Sequence, residues 1–365
     1  WSDEDELTVL VSEGVKTSMG TIDMDGKMKK AIDQSDMDIA SFSMSDKGAV
    51  ALVASTAKHP NEVFYMKSTK STPQKKTTSN PWLKDKKLGK QEVVSWTSED
   101  GMEIEGILIR PVGASDGQKY PLITVVHGGP EAHYDNGWLT HYSMPGQMAA
   151  GNGYAVFYPN YRGSTGRGVE FAKSSQGDPG GKEFDDILDG IDKLIEMGLV
   201  DENKVGVTGG SYGGYATAWM STKHSDRFAA GVMFVGISNN LSKWGTSDIP
   251  EEMFLVHSRK RIWDDYQMFL ERSPIYHADN AKTPLLIMHG KNDTRVDPGQ
   301  SYELYRHIKT RTETPVRLVL YPGEGHGNRK STARYDYSLR MLRWFDTYLK
   351  GSGNEEKPPM EVSVE

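Results

Sequence analysis

The sequence predicts an α/β fold: an open, mostly parallel sheet with helices on both faces, preceded by a short β-rich segment resembling about two propeller blades. Three observations predict it. Six apolar runs after residue 90, PLITVVHGG (121–129), YAVFYPN (154–160), VGVTGG (205–210), AAGVMFVG (229–236), PLLIMHG (284–290) and VRLVLYPG (316–323), read as buried parallel strands. Between and after them, Phe184, Ile187, Leu188, Ile191, Leu194 and Ile195, and later Tyr335, Leu339, Leu342, Phe345 and Leu349, recur at helical spacing. Before residue 85 the grammar is different: LTVLV, GTIDMDG, ASFSMSDKGAVALVAS and EVFYMKS are short β-like runs separated by turn pairs such as Asp25-Gly26.

These patterns divide the chain into a β-rich segment over 1–85, an α/β domain over 86–352 and a polar, proline-containing tail over 353–365. The β-rich part outlines two units, 4–35 and 37–70. A propeller closes with four to eight blades, so two units cannot form a ring. They read as a remnant, a cap on the following domain, or the end of a longer protein. The basic stretch KKTTSNPWLKDKKLGK (75–90) reads as a solvated linker.

In an open α/β sheet the chemistry lies beyond the carboxyl ends of the strands. Gly209-Gly210-Ser211-Tyr212-Gly213 matches G-x-S-x-G where a strand gives way to a helix, the context that lends the motif meaning. Its glycines are expected to permit a sharp turn exposing Ser211, with Gly214 admitting close helix packing. A serine hydroxyl needs a base, and the base an orienting carboxylate, in the chain order Ser, Asp or Glu, His. The loop KNDTRVDPGQ supplies Asp293, preferred to Asp297 because it is nearer its strand end, and EGHGNRK supplies His326, with Glu324 as another competing carboxylate. His257, in a charged insertion, His277 and His307 read as ordinary surface or core residues. Donors for an oxyanion are expected from the Tyr212 N–H and from Gly129, with Gly128 as runner-up, in the loop HGGPEAHYDNGW. His127 reads as a histidine hydrogen-bonded inside that loop.

Composition narrows the remaining classes. The chain of 365 residues is 36% hydrophobic, carries a formal net charge of -7 and contains no cysteine, which removes disulfides, thiolate metal sites and cysteine nucleophiles. The acidic balance disfavours nucleic acid as a partner. No apolar run is long enough for a membrane span, and WSDEDELTVL lacks the layout of a secretory leader. A soluble protein is expected, cytoplasmic in preference to exported, with no cofactor and no metal, since neither HExxH-like spacing nor a Walker-type loop is present.

Four motifs in order, HGGP (His127 to Pro130), GGSYGGY (Gly209 to Tyr215), HGxxDxRV (His289 to Val296) and YPxExH (Tyr321 to His326), make the chain resemble the prolyl oligopeptidase family of serine peptidases, in its acylaminoacyl peptidase and dipeptidyl aminopeptidase branch. SNPWL (79–83), WTSEDGMEIEGILIRP (96–111) and NYRGSTGRGVEF (160–171) add to a likeness spanning about residues 79–350. The resemblance implies an α/β-hydrolase fold and a Ser211, Asp293, His326 triad cleaving short or N-acylated peptides through an acyl-enzyme. It also implies that Arg295 binds a substrate carbonyl, and that Val296, Ile237 and Tyr212 line the acyl-side pocket. Trp138 and Trp244 are further wall candidates.

Family members usually carry a complete propeller, whereas about two blades' worth precedes the catalytic domain here. A fragment of a longer peptidase and a shortened enzyme both remain open. In a shortened enzyme a carboxylesterase activity on small or bulky esters is the alternative reading, and unpaired strand edges would favour homo-oligomers. A non-catalytic binding protein on the same scaffold is disfavoured by the presence of all three triad members.

Overall fold

The computed structural model describes residues 5–351; the tail expected over 353–365 lies outside the described residues. Two antiparallel sheets come first. β1 (Glu6–Glu13), β2 (Lys16–Asp23) and β3 (Met28–Ser35) form one, and β4 (Asp38–Met44), β5 (Val50–Thr56), β6 (His59–Met66) and β7 (Gln74–Lys75) the other. The turn glycines behave as their sequence context demands: Gly26 and Gly48 take φ of 80° and 77°, and donate back to the Asp23 and Ser45 carbonyls. Met19 of the first sheet joins Ile39, Leu52, Phe64 and Met66 of the second in one apolar cluster.

The large sheet has eight strands: β8 (Gln91–Thr97), β9 (Glu103–Ile109), β10 (Tyr120–Val126), β11 (Ala155–Asn160), β12 (Val200–Gly210), β13 (Ala230–Phe234), β14 (Leu285–Gly290) and β15 (Val316–Tyr321). Their spatial order is β8-β9-β11-β10-β12-β13-β14-β15. The six strands from β10 to β15 are mutually parallel and coincide with the six apolar runs; β8 and β9 extend the sheet by antiparallel pairing. The chain thus forms an α/β-hydrolase sheet preceded by a β-rich segment.

Alternate residues of the strands feed two cores. On one face α3 (Lys182–Glu196) buries Phe184, Ile187, Ile191 and Leu194 against Trp96 and Phe157. Gly190 makes this approach possible, because a Cβ there would stand 2.8 Å from the Trp96 ring and 2.9 Å from that of Phe157. On the other face α8 (Ser331–Phe345) packs Tyr337, Met341, Trp344 and Phe345. Each such side chain contributes roughly 1.5–3 kcal/mol on burial. The α8 stripe departs from the expected one at its start, where Tyr335 is exposed and Tyr337 buried, whereas Phe345 and Leu349 lie in the core and Leu342 packs against it as expected. The remaining helices are α1 (Gly146–Gly151), α2 (Gly168–Lys173), α4 (Tyr212–Thr222), α5 (Asn240–Thr246), α6 (Tyr266–Glu271) and α7 (Gly299–Arg311). Among the described residues no helix is long and apolar enough to cross a membrane.

The β-rich segment is fastened to loops at the carboxyl edge of the large sheet. Gly14 N–H donates to the Gly166 carbonyl at 2.7 Å, Asn136 N–H to the Val15 carbonyl at 2.8 Å, and Trp138 N–H to Ser55 Oγ at 3.0 Å. At Gly137 a Cβ would come within 2.5 Å of Ser55 Oγ.

Candidate active site

Ser211 is the single residue between the end of β12 and the start of α4, and it is the one that takes the left-handed backbone, with φ 59° and ψ -119°. Such a conformation costs a non-glycine residue about 1–3 kcal/mol and persists only where the surroundings enforce it. They do: Ser211 N–H donates to the Phe234 carbonyl at 3.1 Å, and its carbonyl accepts from Tyr215 N–H at 2.9 Å. None of the neighbouring glycines has a positive φ. Three are required by close approach instead. A Cβ at Gly209 would lie 2.5 Å from the Val126 and Gly213 carbonyl oxygens, one at Gly213 would collide with the Val126 carbonyl, and one at Gly214 would lie 2.6 Å from Gly236 Cα. Gly210 has ordinary room, its nearest neighbour being Phe234 Cδ1 at 3.4 Å. The turn is therefore tight because two strands and a helix meet with no side chains between them. Among the described residues, Ser211 Oγ has no hydrogen-bond partner, nor does His326 Nε2.

β14 and β15 deliver Asp293 and His326 at the same edge. His326 Nδ1 and Asp293 Oδ2 are 2.7 Å apart; because the acceptor is a carboxylate, Nδ1 carries the proton and Nε2 offers a lone pair. Asp293 is buried, and Arg295 N–H and Val296 N–H donate to its Oδ1 at 2.9 and 3.1 Å. A further donor was not foreseen. His289, fully buried at the end of β14, has Nε2 at 3.1 Å from Asp293 Oδ2 and 2.8 Å from the Val296 carbonyl, while its Nδ1 meets Ser301 Oγ at 2.7 Å. With two acceptors at Nε2, the proton must sit there, so His289 donates to Asp293. Burial opposes ionisation of Asp293, but the hydrogen bonds from His289, His326 and the Val296 N–H outweigh it and hold the carboxyl well below the usual range. The competing carboxylates serve other ends. Glu324 accepts Arg329 and Lys330 N–H at 2.6 and 3.0 Å, closing the histidine loop, and Asp297 accepts Gly299 N–H at 2.7 Å, at the start of α7.

Tyr212 opens α4, so its N–H belongs to the first turn, where helical partners are missing. Opposite it runs the loop after β10. A Cβ on Gly128 would stand 3.2 Å from Ser211 Cβ and 3.8 Å from Tyr212 N, so this backbone packs directly on the serine; Gly129 follows with φ 117°. His127 is buried in the loop, stacked on Tyr161 at 4.3 Å, with Nε2 2.8 Å from Ser164 Oγ. Burial lowers its pKa to about 4, keeping it neutral.

The other predicted residues are placed as follows. Arg295 pairs with Asp248, Nε to Oδ1 at 2.6 Å, at the rim. Val296 and Ile237 are buried in the same cluster as Tyr212. Trp138 sits where Ser55 of the β-rich segment holds its backbone. Trp244 packs edge-on against Trp263 at 5.5 Å, beside Met253 and Phe269. His257, read from sequence as ordinary, is buried edge-on against the Tyr212 ring at 4.9 Å. Burial and Lys243 lower its pKa to about 3, against a hydrogen bond to the Gly129 backbone. No local signal in EEMFLVHSRKR marks it. Among the described residues no group of three or more His, Asp or Glu side chains is gathered to hold a metal ion.

Residues 140–352 match the model of the prolyl oligopeptidase family. An uncharacterized peptidase of Bacillus subtilis is 33% identical over 318 residues, covering 85% of this chain and 47% of the relative. Dipeptidyl aminopeptidase BIII of Pseudoxanthomonas mexicana is 34% identical over 309 residues, covering 82% of this chain and 44% of the relative. The chain thus spans less than half the length of these two relatives. Among solved structures, the acylaminoacyl peptidase of Pyrococcus horikoshii superposes with a TM-score of 0.85 at 28% identity, over 97% of this chain and 56% of that one.

Proposed function

Because the chain belongs to the prolyl oligopeptidase family, we propose that it is a serine peptidase cleaving short or N-acylated peptides, with Ser211, His326 and Asp293 as its catalytic triad. The observation that carries this is the His326 to Asp293 hydrogen bond at 2.7 Å, made on loops that follow neighbouring strands at the same carboxyl edge of the sheet as the strained Ser211 turn. Ser211 Oγ attacks the scissile carbonyl carbon as His326 Nε2 takes its proton. The carbonyl oxygen becomes an oxyanion held by the N–H groups of Tyr212 and Gly129. His326 then protonates the leaving amine, the acyl-enzyme forms, and water reverses the sequence. Asp293 holds the imidazole tautomer and stabilises the imidazolium. Arg295, released from Asp248, binds a substrate carbonyl, and Val296 and Ile237 with the Tyr212 ring form the acyl-side wall, flanked by Trp138 and Trp244.

The substrate class follows the relatives, one named a dipeptidyl aminopeptidase and one an acylaminoacyl peptidase. The reading includes self-association through the edge strands of the two small sheets.

The test compares kcat/KM on N-acetyl-aminoacyl and dipeptidyl anilides with that on short p-nitrophenyl esters, with Ser211→Ala as control. Anilide cleavage that disappears in Ser211→Ala is expected. Ester turnover with no anilide cleavage overturns the peptidase reading, and undiminished activity in Ser211→Ala removes Ser211 as nucleophile.

A further inference from the structure

Glu183 is a carboxylate buried among neutral partners. It stands in the first turn of α3, shielded from solvent, and accepts three hydrogen bonds: Tyr212 O–H at 2.8 Å and Gly180 N–H at 2.6 Å on Oε1, and Gly181 N–H at 3.2 Å on Oε2. The two glycine N–H groups are what a helix-start cap collects. The third bond reaches a different element, and the residue it reaches is the one next to Ser211. The Tyr212 ring is boxed by Phe184, Tyr215 and His257, with centroids 5.8, 5.3 and 4.9 Å away. A boxed ring with an anchored hydroxyl leaves its own backbone little freedom to turn.

We propose that Glu183 is a positioning residue for the reaction: its carboxylate fastens the Tyr212 hydroxyl and so aims the Tyr212 backbone N–H at the oxyanion. This rests on Ser211 being the nucleophile. Around Glu183 stand Asp178 on the preceding turn, the buried hydroxyls of Tyr161, Tyr212 and Tyr215, and Arg272, which is held by Asp178 and the Gly180 carbonyl. Burial, with a smaller contribution from Asp178, raises the Glu183 carboxyl to about 7 against the backbone N–H groups and the Tyr212 hydroxyl. Protonation at Oε2 turns the acceptor facing the Gly181 N–H into a donor and takes the negative charge out of the Tyr212 bond on Oε1, so the tether loosens as pH falls through about 7.

The experiment measures kcat and KM for a p-nitrophenyl ester from about pH 5 to about pH 9, in the wild type, Glu183→Gln, Tyr212→Phe and the double variant. Fluorophosphonate labelling of Ser211 and thermal melts run alongside. Glu183→Gln is expected to lower kcat about tenfold with KM little changed, since misaiming a donor costs less than the roughly 10²–10³ of removing one. The wild-type acid limb carries a component that falls through about 7, and Glu183→Gln is expected to lose it. Tyr212→Phe reproduces the loss, the double variant adds nothing to it, and Tyr212→Phe alone decides the matter if Glu183→Gln melts below assay temperature. Wild-type kcat and an unchanged profile in Glu183→Gln, or losses that add in the double variant, overturn the proposal. Failure of wild-type Ser211 to label sinks the nucleophile reading and this proposal with it, whereas normal labelling with an unaffected Glu183→Gln sinks this proposal alone.

Discussion

The Ser211 turn and the Asp293 loop hold their key residues by opposite means. Ser211 is placed by exclusion: carbonyls of Val126 and Gly213 and the Cα of Gly236 crowd the neighbouring positions, and its own hydroxyl is partnerless among the described residues. Asp293 is placed by attraction, with two histidines on Oδ2 and two backbone N–H groups on Oδ1. The difference follows from what each must do. A nucleophile bound by several partners would be slow to leave them, whereas a carboxylate that only orients and neutralises can be fully engaged.

Substitutions can break this contrast at either end. The largest effect is expected at the attracted residue: Asp293→Asn should lower kcat about 10⁴-fold, about 5 kcal/mol in barrier, by favouring the wrong His326 tautomer. Steady-state kinetics check it, and a melt within a few degrees of wild type confirms that the loss is chemical. Next comes the excluded side. Gly213→Ala drives a Cβ into the Val126 carbonyl and should cost about 3 kcal/mol of stability, read in a denaturant titration. His289→Phe should cost about 2 kcal/mol, because the Val296 carbonyl and one Asp293 lone pair lose their donor; kcat should fall while KM holds. The smallest effect sharpens the contrast. Gly210→Ala, one residue from the serine, should shift stability by less than about 0.5 kcal/mol, because nothing crowds that position. A Gly210→Ala penalty as large as that of Gly213→Ala would show that the turn is not held by exclusion.

The same contrast explains what could be read from sequence. Exclusion leaves glycine, and Gly209, Gly213 and Gly214 are visible letters; attraction leaves residue types that are common everywhere. His289 appears within a motif, yet nothing in its spelling tells that its ring reaches Asp293 rather than the core. Most of the six parallel strands were legible because both faces are buried, making continuous apolar runs, and the half-buried edge strand β15 still spells one. β8 and β9 were not, since β8 alternates between buried and exposed positions and offers no such run. The first turn of α8 was misread at Tyr335 because apolar residues at 335, 337, 339, 341, 342, 344 and 345 leave more than one stripe consistent with helical spacing. Glu183 reads as a helix-start acid, which it is, and the bond to Tyr212 exists only once α3 and α4 pack together.

The tethers from Gly14, Val15 and Ser55 end on the loops after β10 and β11, and the first of these begins with the glycines packed on Ser211. For anyone recombining this protein, the practical seam therefore does not lie at residue 85. A graft of the large sheet alone would arrive with three severed anchors beside its most position-sensitive backbone, and a chimera that replaces the β-rich part must reproduce those three attachment points before its own surface is considered.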